Sequence, residues 1–411
     1  MIIVRMKVNM TQTKINIVIV GGGFGGVKAA EELSRNSLFH VTLISDRPDF
    51  WYYPSLYRTA TGAPEQLSSI PLSDLFGHTN VQIVIGKASH LDQQKKTLQL
   101  ENGVTVAYDE LILSLGVVTN YFGIKGLAEF SYGIKSVSEA KELKTHLHRQ
   151  LLDDKKPDLH YIVVGGGPTG IELAAQLPQY LRYIMKEHGL PRRPINVSLI
   201  EAAPHLLPRM KASVGKTIEK RLRHLGVKLY LKTAVQGETI DTLQINDRLL
   251  KSHTVVWTAG QANNAFFEAN DFTITKRHKV LVNEFLQAMP HVYVIGDNAD
   301  TKYSGMAQTA LIDAVFVAQN ILRQYRGKTQ RSYVPKKPVY VFPAGKGWAY
   351  VEWGNHRFHG WIGWLLREAG DIKGLLDIEN PVKAGGQWLK EFQIDDDCAT
   401  CNPQKSSSSS D

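Results

Sequence analysis

The sequence predicts an α/β protein that contains two parallel sheets with helices on both faces, and two observations lead to this prediction. Short β-branched runs alternate with helical stretches along the chain. An apolar run followed by a glycine-rich turn and a helical stretch also occurs twice, with the turns starting at Gly21 and, 144 residues later, at Gly165. That distance indicates two similar domains and not a short-period array. The strand-like runs are 15–20, 41–44, 81–85, 110–115, 161–164, 196–200, 254–258 and 292–295.

Length and charge limit the class of protein. The 411 residues allow two or three domains. The 48 basic and 39 acidic residues leave a net charge of +9, which favours an anionic partner without choosing among nucleotide, lipid and nucleic acid. No nucleic-acid motif or long basic run is present, so we expect no nucleic-acid partner. The first ten residues do not read as a secretion signal, and no apolar run reaches the roughly 18–20 residues of a membrane span. We therefore expect a cytosol-facing chain.

Both turns have the G-x-G-x-x-G spacing of a Rossmann-like dinucleotide-binding domain. The first glycine permits the tight turn, the second lets backbone approach a pyrophosphate, and the third lets the helix pack close to the strand. A single match is weak, but two matches in a strand–turn–helix context predict that the chain binds two dinucleotides. The positions are Gly21, Gly23, Phe24, Gly25 and Gly26 in the first copy and Gly165, Gly167, Pro168, Thr169 and Gly170 in the second.

An acidic residue after the second copy indicates which nucleotide binds there. The run 196–200 ends at Glu201, 31 residues after Gly170, whereas about 20 is usual, and the insert 180–194 accounts for the difference. A carboxylate there accepts from a ribose 2′-hydroxyl and repels a 2′-phosphate, which favours NADH over NADPH. A solvated loop acid is the alternative. In the first copy Asp46 stands one position later, which leaves its ribose contact open.

A third motif completes a resemblance. The run 292–295 is followed by Gly296 and Asp297, which places a carboxylate at the end of a strand where open α/β sheets bind ligands. With the two turns, this resembles the second flavin motif of the two-dinucleotide-binding flavoprotein reductases. The resemblance implies FAD, with Asp297 holding the ribityl chain. The stretches ending at Gly116 and Gly260 resemble that superfamily's linker motifs, although the first has Ser-Leu-Gly in place of the commoner Ala-Thr-Gly.

Within that superfamily the sequence is similar to the type II NADH dehydrogenases over roughly residues 14 to 370. This resemblance implies a single-subunit flavoenzyme, a non-proton-pumping respiratory-chain NADH:quinone oxidoreductase that passes electrons from NADH through FAD to quinone. The stretches that carry it are IVIVGGGFGGVKAAEEL, YYPSLYRTATG, LGVVTNYFGIKGLAE, VVGGGPTGIELAAQL, LIEAAPHLLPRM and VIGDNAD.

Two residues are assigned to the acceptor side by this resemblance. Glu172 matches the family's acidic residue near the flavin ring and the quinone entrance; the alternative is an acid favoured by the helix dipole. The stretch 307–310 matches the start of the family's quinone motif, which implies that Gln308 contacts the quinone. The family's second glutamine falls on Ile312, which leaves the type of quinone, and quinone itself as the acceptor, open.

The C-terminal segment 355–376 suggests a helix lying in a membrane interface. Phe358, Trp361, Ile362, Leu365 and Leu366 fall near one helical face. Basic residues, namely Arg357, Arg367 and Lys373, lie elsewhere. A helix that covers a core or a dimer contact is the alternative. The resemblance favours peripheral attachment to the cytoplasmic face of the cell membrane, and we also expect a homodimer.

The two cysteines leave a rival function open. Cys398 and Cys401 form a C-x-x-C, which suits a redox pair, half a metal site or a neutral tail feature. No second C-x-x-C is present, so we predict no metal site. The rival is an NADH-dependent reductase of a protein or disulfide. Sulfide:quinone reductases resemble the chain in fold but place reactive cysteines in the body, where residues 1–397 have none. A slowly turning-over flavin sensor or scaffold is a third hypothesis.

These motifs divide the chain into six predicted regions. The FAD-binding domain is formed by two segments, the NADH-binding domain lies between them, and a membrane-association or dimer region follows. The predicted bounds are 14–120 for the first FAD segment, 121–157 for a connection, 158–278 for the NADH domain, 279–325 for the second FAD segment, 326–395 for the C-terminal α/β element and 396–411 for a disordered tail.

Overall fold

The computed structural model describes residues 14–152, 158, 160–378, 381–390 and 393. The predicted tail with Cys398 and Cys401 lies outside the described residues. The strands are β1 Ile15–Val20, β2 Phe39–Ser45, β3 Asp49–Trp51, β4 Ser69–Pro71, β5 Val81–Ile85, β6 Ala88–Asp92, β7 Thr97–Leu100, β8 Thr105–Ala107, β9 Glu110–Leu113, β10 Val117–Thr119, β11 His160–Val164, β12 Asn196–Glu201, β13 Val227–Leu231, β14 Val235–Glu238, β15 Thr242–Ile245, β16 Arg248–Lys251, β17 Thr254–Trp257, β18 Gln261–Asn263, β19 Gln287–Met289, β20 Val292–Val294, β21 Tyr340–Pro343, β22 Ala349–Trp353 and β23 His356–Gly360. The helices are α1 Phe24–Ser34, α2 Leu56–Thr59, α3 Leu72–Phe76, α4 Leu127–Phe130, α5 Val137–Leu152, α6 Pro168–Glu187, α7 Ala212–His224, α8 Phe266–Ala269, α9 Ala307–Tyr325, α10 Trp361–Leu376 and α11 Pro381–Leu389, with 3₁₀ turns at Tyr53–Ser55, Glu65–Leu67 and Gly296–Asn298.

The first of two compact units comprises the described residues up to Pro48, together with Leu72–Gly116 and Asn264–Pro335. Its six-stranded sheet has the order β19-β20-β9-β1-β2-β5, and every neighbouring pair is parallel except β19 with β20. The central strands are almost wholly buried, as expected when helices cover both faces. Because β1 and β20 run parallel, the first glycine turn and the 3₁₀ turn that contains Asp297 follow the same edge of the sheet.

The second unit comprises Asp49–Pro71, Val117–Asn263 and the described residues from Lys336 onward. Its parallel sheet has the order β13-β12-β11-β17, with the second glycine turn at the carboxyl end of β11. The antiparallel sheets β14-β15-β16 and β21-β22-β23 and the ribbons β10-β18 and β3-β4 complete the unit. The prediction of two Rossmann-like parallel sheets and a C-terminal α/β element is confirmed.

The predicted domain bounds differ from these units in several places, of which the segment Asp49–Pro71 is the most informative. The segment Asp49–Pro71 was assigned to the first FAD segment, yet it belongs to the second unit. Helix α2 packs on α5 and α6, and its Leu56 and Tyr57, with Ala60 directly after it, are buried in the same core as Ile171. These contacts join residues about 80 to 130 positions apart, which local sequence patterns do not reveal.

The prediction of one helical face over 355–376 is wrong at its beginning. Residues 356–360 form β23, which pairs with β22 across a two-residue turn where Gly354 has φ +61°. The helix begins only at Trp361, after Gly360 at φ +78°. A Cβ on Gly363 would lie 2.1 Å from the Ala349 carbonyl oxygen, so close packing on β22 fixes the position of the helix.

The apolar face of α10 is turned away from β22 and remains exposed. Trp361, Ile362 and Leu365 are 66%, 44% and 47% exposed. Arg367, which we expected on the side of the helix away from this apolar face, is buried. Among the residues that the structure describes, none of the helices has both the length and the apolarity needed to cross a bilayer.

A buried carboxyl in the second unit opposes stability at alkaline pH. Glu238 in β14 is 7% exposed, and its Oε2 has no hydrogen-bond partner among the described residues. Burial raises the pKa of Glu238 to about 8. The unfolded chain ionises this group near its ordinary value, whereas the folded chain keeps it protonated up to about pH 8. The free energy of unfolding therefore falls as the pH rises between those two pKa values.

We expect Glu238→Gln to raise the melting temperature by roughly 4 °C at pH 8 and by much less at pH 5, since glutamine carries no charge to desolvate. Thermal unfolding followed by circular dichroism over this pH range measures the difference. Glu129→Gln, at an exposed position of α4 in the same unit, is the matched control. An equal gain at both pH values would show that ionisation of Glu238 is not the cause.

Candidate cofactor-binding sites

In the first glycine turn, neighbouring backbone atoms leave no room for side chains at two of the glycines. Gly21 has φ +114°, and a Cβ there would lie 2.0 Å from the Ser114 carbonyl oxygen. A Cβ on Gly26 would lie 1.8 Å from the Gly21 carbonyl oxygen. Neither distance is compatible with a side chain, so Gly21 and Gly26 are required for β1, α1 and β9 to approach one another.

Gly23 has a different role, because a Cβ there would meet no described atom within 4 Å. It is the N-cap of α1, no side chain of the described residues caps this helix end, and its first turn carries no acidic residue. The N-terminal N–H groups and the positive end of the helix dipole therefore face open space. Phe24 and Gly25 begin the helix and are buried. This cradle of bare backbone fits a pyrophosphate.

The second turn repeats this arrangement. Gly165 also has φ +114°, and a Cβ on Gly170 would lie 1.9 Å from the Gly165 carbonyl oxygen. Gly167 is again the N-cap, and a Cβ on it would meet no described atom within 4 Å. Pro168 occupies the first helical position, where its missing N–H costs nothing, and Thr169 follows. The second unit thus also fits a pyrophosphate.

Glu201 is fixed beside the second turn. Its Oε2 accepts from the Gly166 N–H at 2.6 Å, and its Oε1 accepts from the Ala203 N–H at 2.7 Å. It is the last residue of β12, and the insert that precedes that strand is explained by α6, which has 20 residues where α1 has 11. This fixed carboxylate disfavours the interpretation of Glu201 as a solvated loop acid.

The first unit has a hydroxyl where the second has this carboxylate. Val20 pairs with Ile44, as Val164 pairs with Ile200, so Ser45 occupies the position that corresponds to Glu201. Asp46 follows and pairs with Arg47 at 2.9 Å, with its side chain half exposed. The two turns therefore present different charges to a ribose.

The turn that contains Asp297 is held from both sides within the first unit. The Gly296 N–H donates to Asp313 Oδ2 at 3.0 Å. Asn298 accepts from the Gly116 N–H at 2.8 Å and donates to the Gly116 carbonyl oxygen at 2.7 Å. Lys279 donates to the Asp297 carbonyl oxygen. Two of the sequence motifs, the stretch ending at Gly116 and the one containing Asp297, thus meet.

Asp313 was missed by sequence reasoning. It is fully buried on α9 and accepts from the Tyr333 hydroxyl at 2.5 Å. Burial raises the pKa of Asp313 to about 6, although the hydrogen bonds from Tyr333 and Gly296 oppose this rise. In the sequence, Asp313 could have been recognised only as an isolated acid on the apolar face of a predicted helix.

The other linker motif continues into an antiparallel ribbon. Gly260 has φ +75°, and a Cβ there would lie 2.2 Å from the Asn120 carbonyl oxygen. The strand that follows it, β18, pairs with β10. Lys135 donates to the carbonyl oxygens of Val118 and Gly260 at 3.2 and 3.0 Å, which ties both strands of the ribbon together.

Glu172 is the fifth residue of α6 and is partly buried. Burial raises the pKa of Glu172 to about 8; Asp371 adds to this rise, whereas Arg367 and Arg58 oppose it. A helix dipole acting on an N-terminal acid would lower the pKa instead. The interpretation as an acid placed for the dipole is therefore not supported.

Glu172 and Gln308, the two predicted acceptor-side residues, belong to different units. Gln308 is the second residue of α9 in the first unit and is exposed, and Ile312 is partly buried one turn later. Glu172 belongs to the second unit. Within the described part of the chain, no group of three or more metal-ligating side chains is found.

The fold and the two cradles define the class of proteins with paired Rossmann-like dinucleotide-binding domains. A family model for pyridine nucleotide-disulphide oxidoreductases matches residues 15–315, and the chain belongs to this family.

Curated relatives extend over most of the chain. The type II NADH:quinone oxidoreductase Ndh of Mycobacterium tuberculosis is 29% identical over 409 residues, which cover 92% of this chain and 88% of that protein. The type II NADH:quinone oxidoreductase of Staphylococcus haemolyticus is 25% identical and covers 92% of this chain and 98% of its own length.

Solved structures agree on the fold. NDH2 from Plasmodium falciparum in complex with NADH superposes with a TM-score of 0.80 at 18% identity, covering 92% of this chain and 97% of that one. The sulfide:quinone oxidoreductase of Aquifex aeolicus has a TM-score of 0.76 at 20% identity, covering 89% and 92%. At these identities the likeness concerns the fold alone.

Proposed function

We propose that this protein is an FAD-dependent NADH:quinone oxidoreductase of the type II class. The observation that carries the proposal is the pair of bare-backbone cradles, one next to a neutral Ser45 and the other next to the fixed carboxylate of Glu201. The relatives named type II NADH:quinone oxidoreductases extend over nine-tenths of the chain, which supports the same function.

The two cofactors are assigned to separate units. FAD binds the first unit, where Gly23 and the N-terminus of α1 receive its pyrophosphate, Asp297 holds the ribityl chain and Asp46 is the candidate ribose contact. NADH binds the second unit, where Gly167 receives the pyrophosphate and Glu201 accepts from the ribose hydroxyl. When bound, the flavin accepts hydride from NADH and returns two electrons to the acceptor. Gly116 and Gly260 begin the linker ribbon.

Two side chains of this protein are candidates for roles at the acceptor, one as a proton source and the other as a contact with the quinone. Reduction of a quinone by NADH consumes one proton beyond the transferred hydride. Glu172, with a pKa of about 8, carries a proton at neutral pH and is our candidate for its source. Gln308 is the candidate for the contact with the quinone carbonyl, since its exposed side chain offers an N–H donor.

An absorbance experiment tests the function. The purified protein should show flavin bands, anaerobic NADH should bleach them, and a soluble quinone should restore them rapidly. Bleaching without reoxidation by quinone would contradict quinone as the acceptor and favour a protein or disulfide. The double Cys398→Ser and Cys401→Ser variant then decides whether the C-terminal pair is used. Absence of flavin bands after incubation with FAD would contradict the assignment of the first unit.

We also propose that α10 attaches the protein peripherally to the cytoplasmic face of the cell membrane. Its outward Trp361, Ile362 and Leu365 suit the interfacial region, and the net charge of +9 favours anionic lipid. The exposed Leu389 of α11 adds to the apolar surface. We propose a homodimer as well, which sedimentation in detergent would test.

Trp361→Glu with Leu365→Glu should weaken binding to anionic vesicles at least about tenfold, because two large apolar groups are replaced by charges. Flotation of the protein with phosphatidylglycerol vesicles measures it. Leu249→Glu is the matched control, since Leu249 is 68% exposed on β16 of the same unit. Equal loss of binding in the control would contradict a specific role of α10.

A further inference from the structure

The chain after α9 runs back along that helix before it leaves the first unit. The Arg331 N–H donates to Asn320 Oδ1 at 3.0 Å, and Asn320 Nδ2 donates to the Arg331 carbonyl oxygen at 2.8 Å. The Tyr333 N–H donates to the Glu284 carbonyl oxygen at 2.7 Å. The Tyr333 ring packs edge-on against Phe316 of α9, with the ring centroids 5.0 Å apart. Backbone bonds and packing therefore hold the tyrosine ring in place.

The hydroxyl of this tyrosine reaches a fully buried acid on α9. Tyr333 donates to Asp313 Oδ1 at 2.5 Å, and the Gly296 N–H donates to the other oxygen, Oδ2, at 3.0 Å. Burial raises the pKa of Asp313 to about 6, so the carboxyl is ionised at neutral pH although it is buried. A buried carboxylate costs more free energy than an apolar side chain of similar volume would. Packing alone therefore does not explain an acid at this position.

The acid bonds to the backbone at a position that needs an external contact to fix it. Gly296 has φ +69°, in the left-handed region, and a glycine is the residue with the greatest conformational freedom. Gly296 begins a 3₁₀ turn, and Asn298 ends it and is bonded to both backbone groups of Gly116. Asp297 lies between these two residues. The position of Asp297 therefore depends on the bond at Gly296 as well as on the bonds at Asn298.

We propose that Tyr333 and Asp313 are positioning residues for FAD. The Tyr333 hydroxyl holds the Asp313 carboxylate, and this carboxylate fixes the backbone at Gly296. The next residue, Asp297, is thereby placed for the ribityl chain. Tyr333 and Asp313 act through the turn and not by contact with the cofactor. This inference rests on the proposed function, because the assignment of Asp297 to FAD belongs to it.

Tyr333→Phe tests the proposal, because it removes one hydroxyl and retains the ring that packs against Phe316. The dissociation constant of FAD for the full-length apoprotein should rise about five- to tenfold, since the cofactor must then order a turn that is fixed in the wild type. Quenching of flavin fluorescence during titration with FAD measures this constant without turnover. Asp313→Asn keeps an oxygen that accepts from the Gly296 N–H, so it should bind FAD more tightly than Asp313→Ala does.

Tyr325→Phe is the matched control. The Tyr325 hydroxyl also donates to a fully buried carboxylate of the first unit, that of Glu110, at 3.0 Å. Glu110 is the first residue of β9, whereas the glycine turn and Asp297 follow the carboxyl ends of the parallel strands β1 and β20. Tyr325→Phe should lower the denaturation midpoint of the apoprotein about as much as Tyr333→Phe does. It should leave the dissociation constant of FAD within about twofold of the wild-type value.

A double-mutant cycle determines whether Tyr333 acts through Asp297. In the Asp297→Ala background, Tyr333→Phe should change the dissociation constant of FAD less than about twofold, because the side chain that it places is already absent. Losses that simply add would contradict this route.

Hydrogen exchange of the apoprotein, followed by mass spectrometry, gives a readout that does not involve FAD. A peptide that covers Gly296–Asn298 should exchange faster in Tyr333→Phe than in the wild type, because the turn has lost part of its support. The same peptide should exchange at the wild-type rate in Tyr325→Phe.

Wild-type affinity for FAD in Tyr333→Phe would overturn the proposal, and so would an equal loss of affinity in Tyr325→Phe. Unchanged exchange of the turn in Tyr333→Phe would overturn it as well. If Asp313→Ala does not fold, Tyr333→Phe decides alone. A wild-type protein that binds no FAD would contradict the proposed function, whereas the exchange experiment would still test the link from Tyr333 to Gly296.

Discussion

Gly26→Ala should destabilise the first unit and abolish flavin binding, whereas Gly23→Ala should weaken flavin binding without destabilising the unit. A methyl group on Gly26 would lie 1.8 Å from the Gly21 carbonyl oxygen, so α1 must move away from β1. We expect a loss of about 2–4 kcal/mol in the free energy of unfolding. Gly23 has φ −92° and ψ −170°, a conformation that alanine adopts freely, and a methyl there meets no described atom.

The apoprotein separates the two effects. Denaturant unfolding without cofactor should show a lower midpoint for Gly26→Ala and a change within about 0.5 kcal/mol for Gly23→Ala. Titration with FAD should then show affinity reduced at least about tenfold for Gly23→Ala, because the methyl occupies the space into which a pyrophosphate fits. Wild-type affinity in Gly23→Ala would contradict the cradle.

Glu201→Gln should reduce the preference for NADH over NADPH by roughly 10- to 100-fold. The carboxylate repels a 2′-phosphate and accepts from a 2′-hydroxyl, and the amide lacks the charge while its oxygen still accepts from one N–H. Glu201→Ala should in addition weaken NADH binding, because the Gly166 and Ala203 N–H groups lose their acceptor.

The ratio of kcat/KM for the two nucleotides, measured with one soluble acceptor, is the readout. Glu187→Gln, an exposed acid at the end of α6 in the same unit, is the matched control. A preference that stays the same in Glu201→Gln and in Glu187→Gln would remove Glu201 from the ribose site and return it to a purely structural role at the turn.

Local patterns predicted the parts of the fold that are specified locally. The β-branched run 15–20 and the glycines after it describe a strand, a turn and a helix in which each residue type has its own reason to be there. The one-position difference between Glu201 and Asp46 could be predicted for the same reason, since Glu201 is the last residue of β12 and Asp46 directly follows β2.

Contacts between distant segments were not predictable in this way. Asn298 contacts Gly116 across 182 positions, and Asp313 reaches Gly296 because α9 packs beside the 3₁₀ turn Gly296–Asn298. The burial of Arg367 was not predicted either, because it depends on how α10 packs against β22, and the helix begins at Trp361, after a hairpin, and not near residue 355. Asp371 lies four residues after Arg367, a spacing at which opposite charges pair on a helix, and this spacing could have indicated that Arg367 is paired.

The strand order of the first unit has a consequence for synthesis on the ribosome. Strand β9 ends at Leu113, and its neighbour β20 begins at Val292, 179 positions later. At elongation rates of about 5–20 residues per second, the β9 edge of the nascent sheet waits roughly 10–40 s for its partner. During that interval, unpaired backbone groups flanked by Ile112 and Leu113 can associate with another chain. Slow production of the intervening segment should therefore increase aggregation, and a holding chaperone should reduce it.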